Sequence, residues 1–383
     1  MNKSLVKQVK QNYRARFKSE FKVVCSPGRI NLIGEHTDYN EGFVFPAAIN
    51  KGIVLAIGKS NTNKSLAIAL DLNETHEFKT DITQPIDGGE WRNYVIGVVA
   101  EIQKKGCTIG NFNCVFSGNI PPGSGMSSSA ALENSFVFGL NALYDLNLSN
   151  KEMIFISQQA EHNYAGVQCG IMDQYASMFG VAKSALLLDC RTLDAKPYKL
   201  NFKNYKLILI NTNVKHKLTE SAYNQRRAVC EKIALTLGKK ALRDVSFNEL
   251  ESIKLKLDYE DYLKALYVLE ENKRVLKFSE AITKADLNEL GQLFYRSHQG
   301  LSEMYKVSCE ELDYLVNQTK DKPYIAGARM MGGGFGGCTI NFIQKDKFKT
   351  FKKTISKKYK QQFGIECSIY SVKLSKGTHL YKS

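Results

Sequence analysis

A chain of 383 residues with a formal charge of +15, 43% hydrophobic and 24% charged, can bury one large core or two ordinary ones. That balance excludes global disorder, and no apolar run nears the roughly 18 residues of a membrane span; Tyr94–Ala100 is among the longest. The opening MNKSLVKQVKQNYRARFK lacks an apolar h-region and reads as a polar, basic helix, so neither a secretory signal nor a membrane anchor is expected.

The chain then alternates turn residues with the short apolar runs Phe21–Cys25, Ile53–Ile57 and Leu66–Leu70, which read as strands. Phe112–Phe116 reads as a further strand entering the loop Gly118–Gly125. Beyond it Ala130, Leu132, Phe136, Phe138 and Leu140 begin a helix to about Leu146, and residues 151–165 form a second, ending near Gly166. Leu186–Asp189 and Tyr205–Ile210 read as strands, and 218–236 and 260–318 as mainly helical. The end returns to strand (Thr339–Ile343), helix (345–360) and strand (Cys367–Val372). This mixture predicts an α+β fold in two lobes. The division falls between residues 175 and 205, and is placed at 1–180 and 181–383.

The charge itself says little. Of 53 basic residues 42 are lysine and only 11 are arginine, whereas arginine is the residue suited to bidentate phosphate and base contacts. The densest run, Lys345 to Lys360, carries Phe348, Phe351, Ile355 and Tyr359 at near-helical spacing, which is an amphipathic helix with a solvated basic face. Neither a nucleic-acid partner nor a membrane surface is expected. Nine scattered cysteines without a CxxC pair give neither a disulfide framework nor a zinc cluster, and suit a reducing cytoplasm. The six histidines form no HxxxH or HExxH pattern.

Two glycine-rich loops stand out. In PPGSGMSSSAAL, Pro121–Leu132, Gly123 and Gly125 let backbone approach a ligand, while Ser127, Ser128 and Ser129 offer hydroxyls and N–H groups at a helix start. Polyphosphate needs such donors and the positive end of a helix, although a serine-capped turn has the same composition. It is no Walker loop: Gly58-Lys59-Ser60 supplies the tail, but Ile53 stands where the first glycine belongs. Residues 332–337, GGGFGG, satisfy GxGxxG but precede a strand, so the dinucleotide fingerprint fails on context.

Near the N-terminus SPGRINLIGEHTDYNEG, Ser26–Gly42, gathers Arg29, Glu35, His36 and Asp38 between glycines. Carboxylates and an imidazole held together suit a polyhydroxylated ligand. This segment resembles the galactokinase signature through Gly28, Arg29, Asn31, Ile33, Gly34, Glu35, His36, Asp38 and Tyr39. Pro122–Ala131 and Gly327–Cys338 resemble the second and third motifs of the GHMP kinase superfamily. Ala160–Gln174 and Ala222–Arg227 also look like galactokinase segments. Met331 departs from the family, which commonly has threonine there.

The resemblance implies a two-domain GHMP kinase fold, with an N-terminal lobe like ribosomal protein S5 domain 2 and a ferredoxin-like C-terminal lobe. It implies transfer of the γ-phosphate of ATP to the 1-hydroxyl of galactose, by a monomer working with Mg²⁺. Asp173 would take the proton of the anomeric hydroxyl, with Arg29 beside it. An arginine there favours the ionised carboxylate and neutralises charge on the moving phosphoryl group. Glu35, His36, Thr37, Asp38 and Tyr223 would bind the sugar. Gly123, Ser124, Gly125, Met126, Ser127, Ser128 and Ser129 would cradle the phosphates, and Gly332–Gly337 would close over them. Ser129 and Glu161 would hold Mg²⁺. Trp91, Asn93 and Tyr94 are candidates for the adenine pocket. Three other readings stay open: the same chemistry on N-acetylgalactosamine or arabinose, a non-catalytic galactose sensor, and a nucleic-acid binder drawn by the charge.

Overall fold

The computed structural model describes residues 3–81, 84–201, 204–215 and 219–382; residues 1, 2 and 218 of the helices read above lie outside them. Its largest sheet has six strands, in the order His379–Leu380, Lys22–Asn31, Pro46–Lys59, Phe112–Gly118, Ser65–Ala69 and Glu74–Phe78. All pairings are antiparallel except Phe112–Gly118 with Ser65–Ala69. Successive strand residues point to opposite faces, and here both faces are covered. Val24, Leu55, Ile57 and Phe116 pack against the helices Trp91–Lys104, Ser128–Tyr144 and Asn150–Ala160. Val23, Cys25, Val54 and Ala56 pack on Leu5, Val6, Val9 and Tyr13 of the helix Lys3–Arg16. The basic N-terminal helix is therefore amphipathic, with its lysines on the outside.

The second sheet runs Ile325–Met331, Gly336–Gln344, Tyr205–Lys215 and Ser368–Ser371, all antiparallel. It repeats the same logic. Leu207 and Leu209 face Val275, Phe278, Leu290 and Phe294 of the helices Tyr259–Lys284 and Leu287–Gln299. Ile208 and Ile210 face Phe351, Ile355 and Tyr359, the apolar stripe of the lysine-rich helix Phe348–Phe363. A three-stranded sheet, Phe43–Val44, Ser184–Asp189 and Ala195–Lys199, links the two.

Several elements escaped the reading of periodicity, the helix Met172–Phe179 and the strands Glu74–Phe78 and Ala195–Lys199 among them. Trp91–Lys104 is a helix buried nearly all round, so its apolar residues show no stripe. Ile325–Met331 is a strand, although its glycine and arginine read as loop. Gly327 is needed there because the helix Leu287–Gln299 presses on the strand: a Cβ on Gly327 would sit 2.6 Å from the Cα of Gly291, and one on Gly291 would sit 1.7 Å from the carbonyl of Ala326. The chain end returns to the first sheet, where His379 and Leu380 pair with Cys25 and Val24.

Candidate active site

The site forms where strand Lys22–Asn31 ends. A register shift between Pro27 and Arg29 turns Arg29 inward, and its side chain is buried against the helix Met172–Phe179. Arg29 Nε and Nη2 donate to Asp173 Oδ1 and Oδ2, both at 2.7 Å, in a bidentate pair. Arg29 Nη1 donates to the Gly125 carbonyl, and its main-chain N–H reaches Met126 O at 3.1 Å. One arginine thus ties Asp173 to the glycine-rich loop, and Ser127 Oγ also donates to Asp173.

The polar loop after the strand is wound on itself. Gly34 takes φ 91°, and the Thr37 hydroxyl lies 2.9 Å from Gly34 O and 2.6 Å from Phe43 O. Thr37 therefore spends its proton inside the loop. Glu35, His36 and Asp38 line a cavity of about 130 Å³ together with Arg29, Glu161, Val167, Cys169, Met172, Asp173, Tyr223, Gly332 and Gly333. Four of the five resembling segments meet there, and the fifth, Pro122–Ala131, is joined through Arg29. A larger cavity of about 480 Å³ between Lys199, Tyr205 and Leu290 shares none of these residues.

Burial decides the charge states. It pushes His36 down to about 3, so the imidazole is neutral. Burial, and then the neighbouring Asp173, pushes Asp38 up to about 7 and Glu161 likewise to about 7. Burial also raises Glu133, which lies behind Glu161 on the helix Ser128–Tyr144. A site this rich in buried carboxylate is built to receive positive charge or protons.

In the glycine- and serine-rich loop Gly123, Gly125 and Ser127 take positive φ of 64°, 67° and 54°. The helix then starts at Ser128, with Ser129 Oγ 2.9 Å from Glu161 Oε1. The side chains divide their work. Ser124 Oγ donates to Pro121 O at 2.7 Å, and Met126 packs into the second core. Ser128 is exposed, and what Ser124 and Met126 can offer a phosphate is main chain only. The third loop closes on this one: a Cβ on Gly125 would stand 3.3 Å from Met331 O. Among the adenine candidates, Trp91 Nε1 donates to Glu74 at 2.7 Å and Asn93 holds the main chain of Ile86.

Sequence reasoning assigned nothing to Arg329, which the fold makes a hub. Fully buried, it donates from Nη1 to Asn31 O at 3.1 Å and Leu32 O at 2.9 Å, and its Nη2 lies 3.2 Å from Glu35 Oε1. A lone arginine among the apolar residues of Ile325–Met331 was the available signal, because a buried charge demands a carboxylate. Gln174 was missed too: its Nε2 donates to Glu161 Oε2 at 2.8 Å and to Glu133 Oε2 at 3.3 Å.

Family models match the chain in three places: the galactokinase galactose-binding signature over residues 11–59, the GHMP kinases N terminal domain over 93–181, and the GHMP kinases C terminal over 278–361. The galactokinase of Thermosipho africanus is 42% identical over 355 residues, 92% of this chain and 98% of that one. The galactokinase of Thermotoga petrophila is 39% identical over 354 residues, with the same coverage.

The chain belongs to the galactokinase family.

The solved structure of Lactococcus lactis galactokinase complexed with galactose agrees in shape, with a TM-score of 0.93 at 33% identity over 98% of this chain and 99% of that one. The Methanococcus jannaschii mevalonate kinase, at 17% identity and a TM-score of 0.67, shares the fold over 94% of this chain. The fold is thus the α+β fold of the GHMP kinases, and the enzyme is an ATP-dependent sugar kinase. The cavity is polar on the side of Glu35, His36 and Asp38, and Arg29 joins its wall to the loop at Gly125.

Proposed function

We propose that the site transfers the γ-phosphoryl group of Mg-ATP to the 1-hydroxyl of galactose, with Asp173 as the base. One observation supports these roles above the others: Arg29 joins Asp173 to Gly125, so the sugar cavity and the phosphate loop share one charged bridge. A carboxylate has about four lone-pair directions. Arg29 uses two on Asp173 and Ser127 a third, which leaves one for the substrate proton. The freed oxygen attacks the γ-phosphorus in line, with Arg29 stabilising charge on the moving group. Glu35, His36, Asp38 and Tyr223 contact the sugar hydroxyls, and Thr37 holds their loop from behind. The main chain of Gly123–Ser129 and the helix start at Ser128 receive the phosphates.

Ser129 and Glu161 would hold Mg²⁺. Their oxygens lie 2.9 Å apart, and behind them Glu133 Oε1 is buried without a hydrogen-bond partner among the described residues. That surplus of hard oxygen fits a divalent cation which keeps most of its waters. The ion, when bound, neutralises charge on the phosphates. We also take the chain to be a cytoplasmic monomer with lobes at 1–180 and 181–383; its nine free cysteines fit a reducing compartment.

An ADP-release assay with Mg-ATP, run in parallel on galactose, N-acetylgalactosamine, glucose, arabinose and mevalonate, tests this reading. Galactose-dependent ADP release with galactose 1-phosphate as product is expected. A preference of about tenfold or more for another sugar would change the substrate and leave the roles standing. Binding of ATP and galactose without ADP release would remove Asp173 from the base role.

A further inference from the structure

Behind the cavity a chain of hydrogen bonds runs out from His36. Its Nδ1 lies 2.7 Å from Tyr39 Oη, Tyr39 Oη lies 2.8 Å from Tyr305 Oη, and Tyr305 Oη lies 3.3 Å from Cys230 Sγ. His36, Tyr305 and Cys230 are all buried, and the aromatic rings are packed: His36 and Tyr305 have centroids 4.9 Å apart. Three elements contribute: the sugar loop, the helix Thr219–Thr236 and the segment after the turn Gly300–Met304.

The direction of the protons follows from the far end. Cys230 is a protonated thiol at neutral pH, since burial pushes it up to about 11, and Asn40 donates to its sulfur. The S–H proton then has the Tyr305 oxygen as its acceptor. Tyr305 passes its own proton to Tyr39, and Tyr39 donates to His36 Nδ1. The reverse direction would cost the thiol proton its Tyr305 acceptor and make sulfur, a weak acceptor, the end of the chain. With Nδ1 accepting and the ring neutral, the proton must sit on Nε2. That atom is buried, belongs to a side chain lining the cavity, and makes no hydrogen bond of full geometry among the described residues, while the nearby main chain of Gly333 favours a proton on the ring.

We propose that Tyr305 and Tyr39 lock His36 in its Nε2–H tautomer, so that His36 meets the sugar only as a hydrogen-bond donor. His36 thereby selects an oxygen acceptor on the substrate. Tyr39 and Tyr305 act through His36 and are positioning residues. The step to sugar recognition rests on the proposed role of His36, whereas the tautomer itself does not.

Protein labelled with ¹⁵N-histidine, free of ligand, reads the tautomer directly. The His36 signals are those lost in His36→Gln. A pyrrole-type Nε2 and a pyridine-type Nδ1 are expected across neutral pH, and a proton on Nδ1 would overturn the proposal. In Tyr305→Phe the two signals should move toward an average of the tautomers. KM for galactose should rise about three- to tenfold, the worth of one neutral hydrogen bond, while kcat changes less than about twofold. Tyr39→Phe should show the same split, and Cys230→Ser, which keeps a donor, should behave as the parent. Unchanged signals and KM in both tyrosine variants would defeat the proposal. A wild-type Nε2–H signal in a chain that phosphorylates no sugar would uphold the lock and reject only the substrate reading.

Discussion

Glu35 accepts the main-chain N–H of Gly332 through Oε1 at 2.9 Å, and the same oxygen lies 3.2 Å from the buried guanidinium of Arg329. The loop carrying Glu35 and the glycine-rich loop Gly332–Gly337 are thereby fastened to each other. Glu35 is consequently a structural clamp as well as a wall of the cavity.

Glu35→Gln keeps an acceptor for Gly332 but leaves Arg329 without a counter-charge. Arg329 Nε and Nη2 already make no hydrogen bond among the described residues. Removing one partner of a buried pair costs about 3–5 kcal/mol. The midpoint of urea unfolding should fall accordingly, with the slope of the transition unchanged. A loss below about 1 kcal/mol would mean that Arg329 is satisfied elsewhere.

Asp173→Asn should lower kcat by at least about a hundredfold, as expected for loss of a general base. Galactose affinity, measured by calorimetry, should stay within about tenfold, because the cavity keeps its other walls. Retained kcat would sink the base assignment. A loss confined to galactose binding would instead make Asp173 a binding group.

Asp38 carries a carboxyl raised to about 7 from an ordinary value of 3.8. The sign is opposite to that of a salt-bridged acid. The folded state holds the proton more tightly than the unfolded one, so the ligand-free protein loses stability as pH rises through this window. Asp38→Asn should therefore stabilise the ligand-free protein at pH about 8 by about 1 kcal/mol or more, and much less at pH about 5. Denaturant midpoints at the two pH values decide it. Equal effects at both would show that Asp38 is not a buried anion at high pH.

Gly291→Ala tests the fold apart from the chemistry. The added Cβ would meet Ala326 O at 1.7 Å, so helix and strand must part. The expected cost is about 1–3 kcal/mol, typical of overpacking. The kinetic constants per folded molecule should not change, since neither residue lines the cavity. Altered KM for galactose with unchanged stability would contradict this.

Local patterns made much of this molecule legible. The spacing of Phe351, Ile355 and Tyr359 marked a helix face, and glycines with serines marked a tight loop leading into a helix. The cluster from Gly28 to Tyr39, with four further segments, was specific enough to indicate the family. These signals are short in sequence, so neighbouring residues carry them. The helix Trp91–Lys104 and the strand Ile325–Met331 were lost because burial on all sides erases periodicity, and because a glycine and an arginine mimic a loop.

What the tertiary structure decided is who touches whom. Arg29 and Asp173 are 144 positions apart, and Glu35 and Gly332 are 297 apart. Nothing within a few residues of Thr37 says that its hydroxyl turns inward, or within a few of Met126 that its side chain joins the second core. Those outcomes depend on sheet order and on which helix covers which face. A side chain's charge, tautomer and free hydrogen bonds are set by neighbours that only the packed chain brings within about 3 Å.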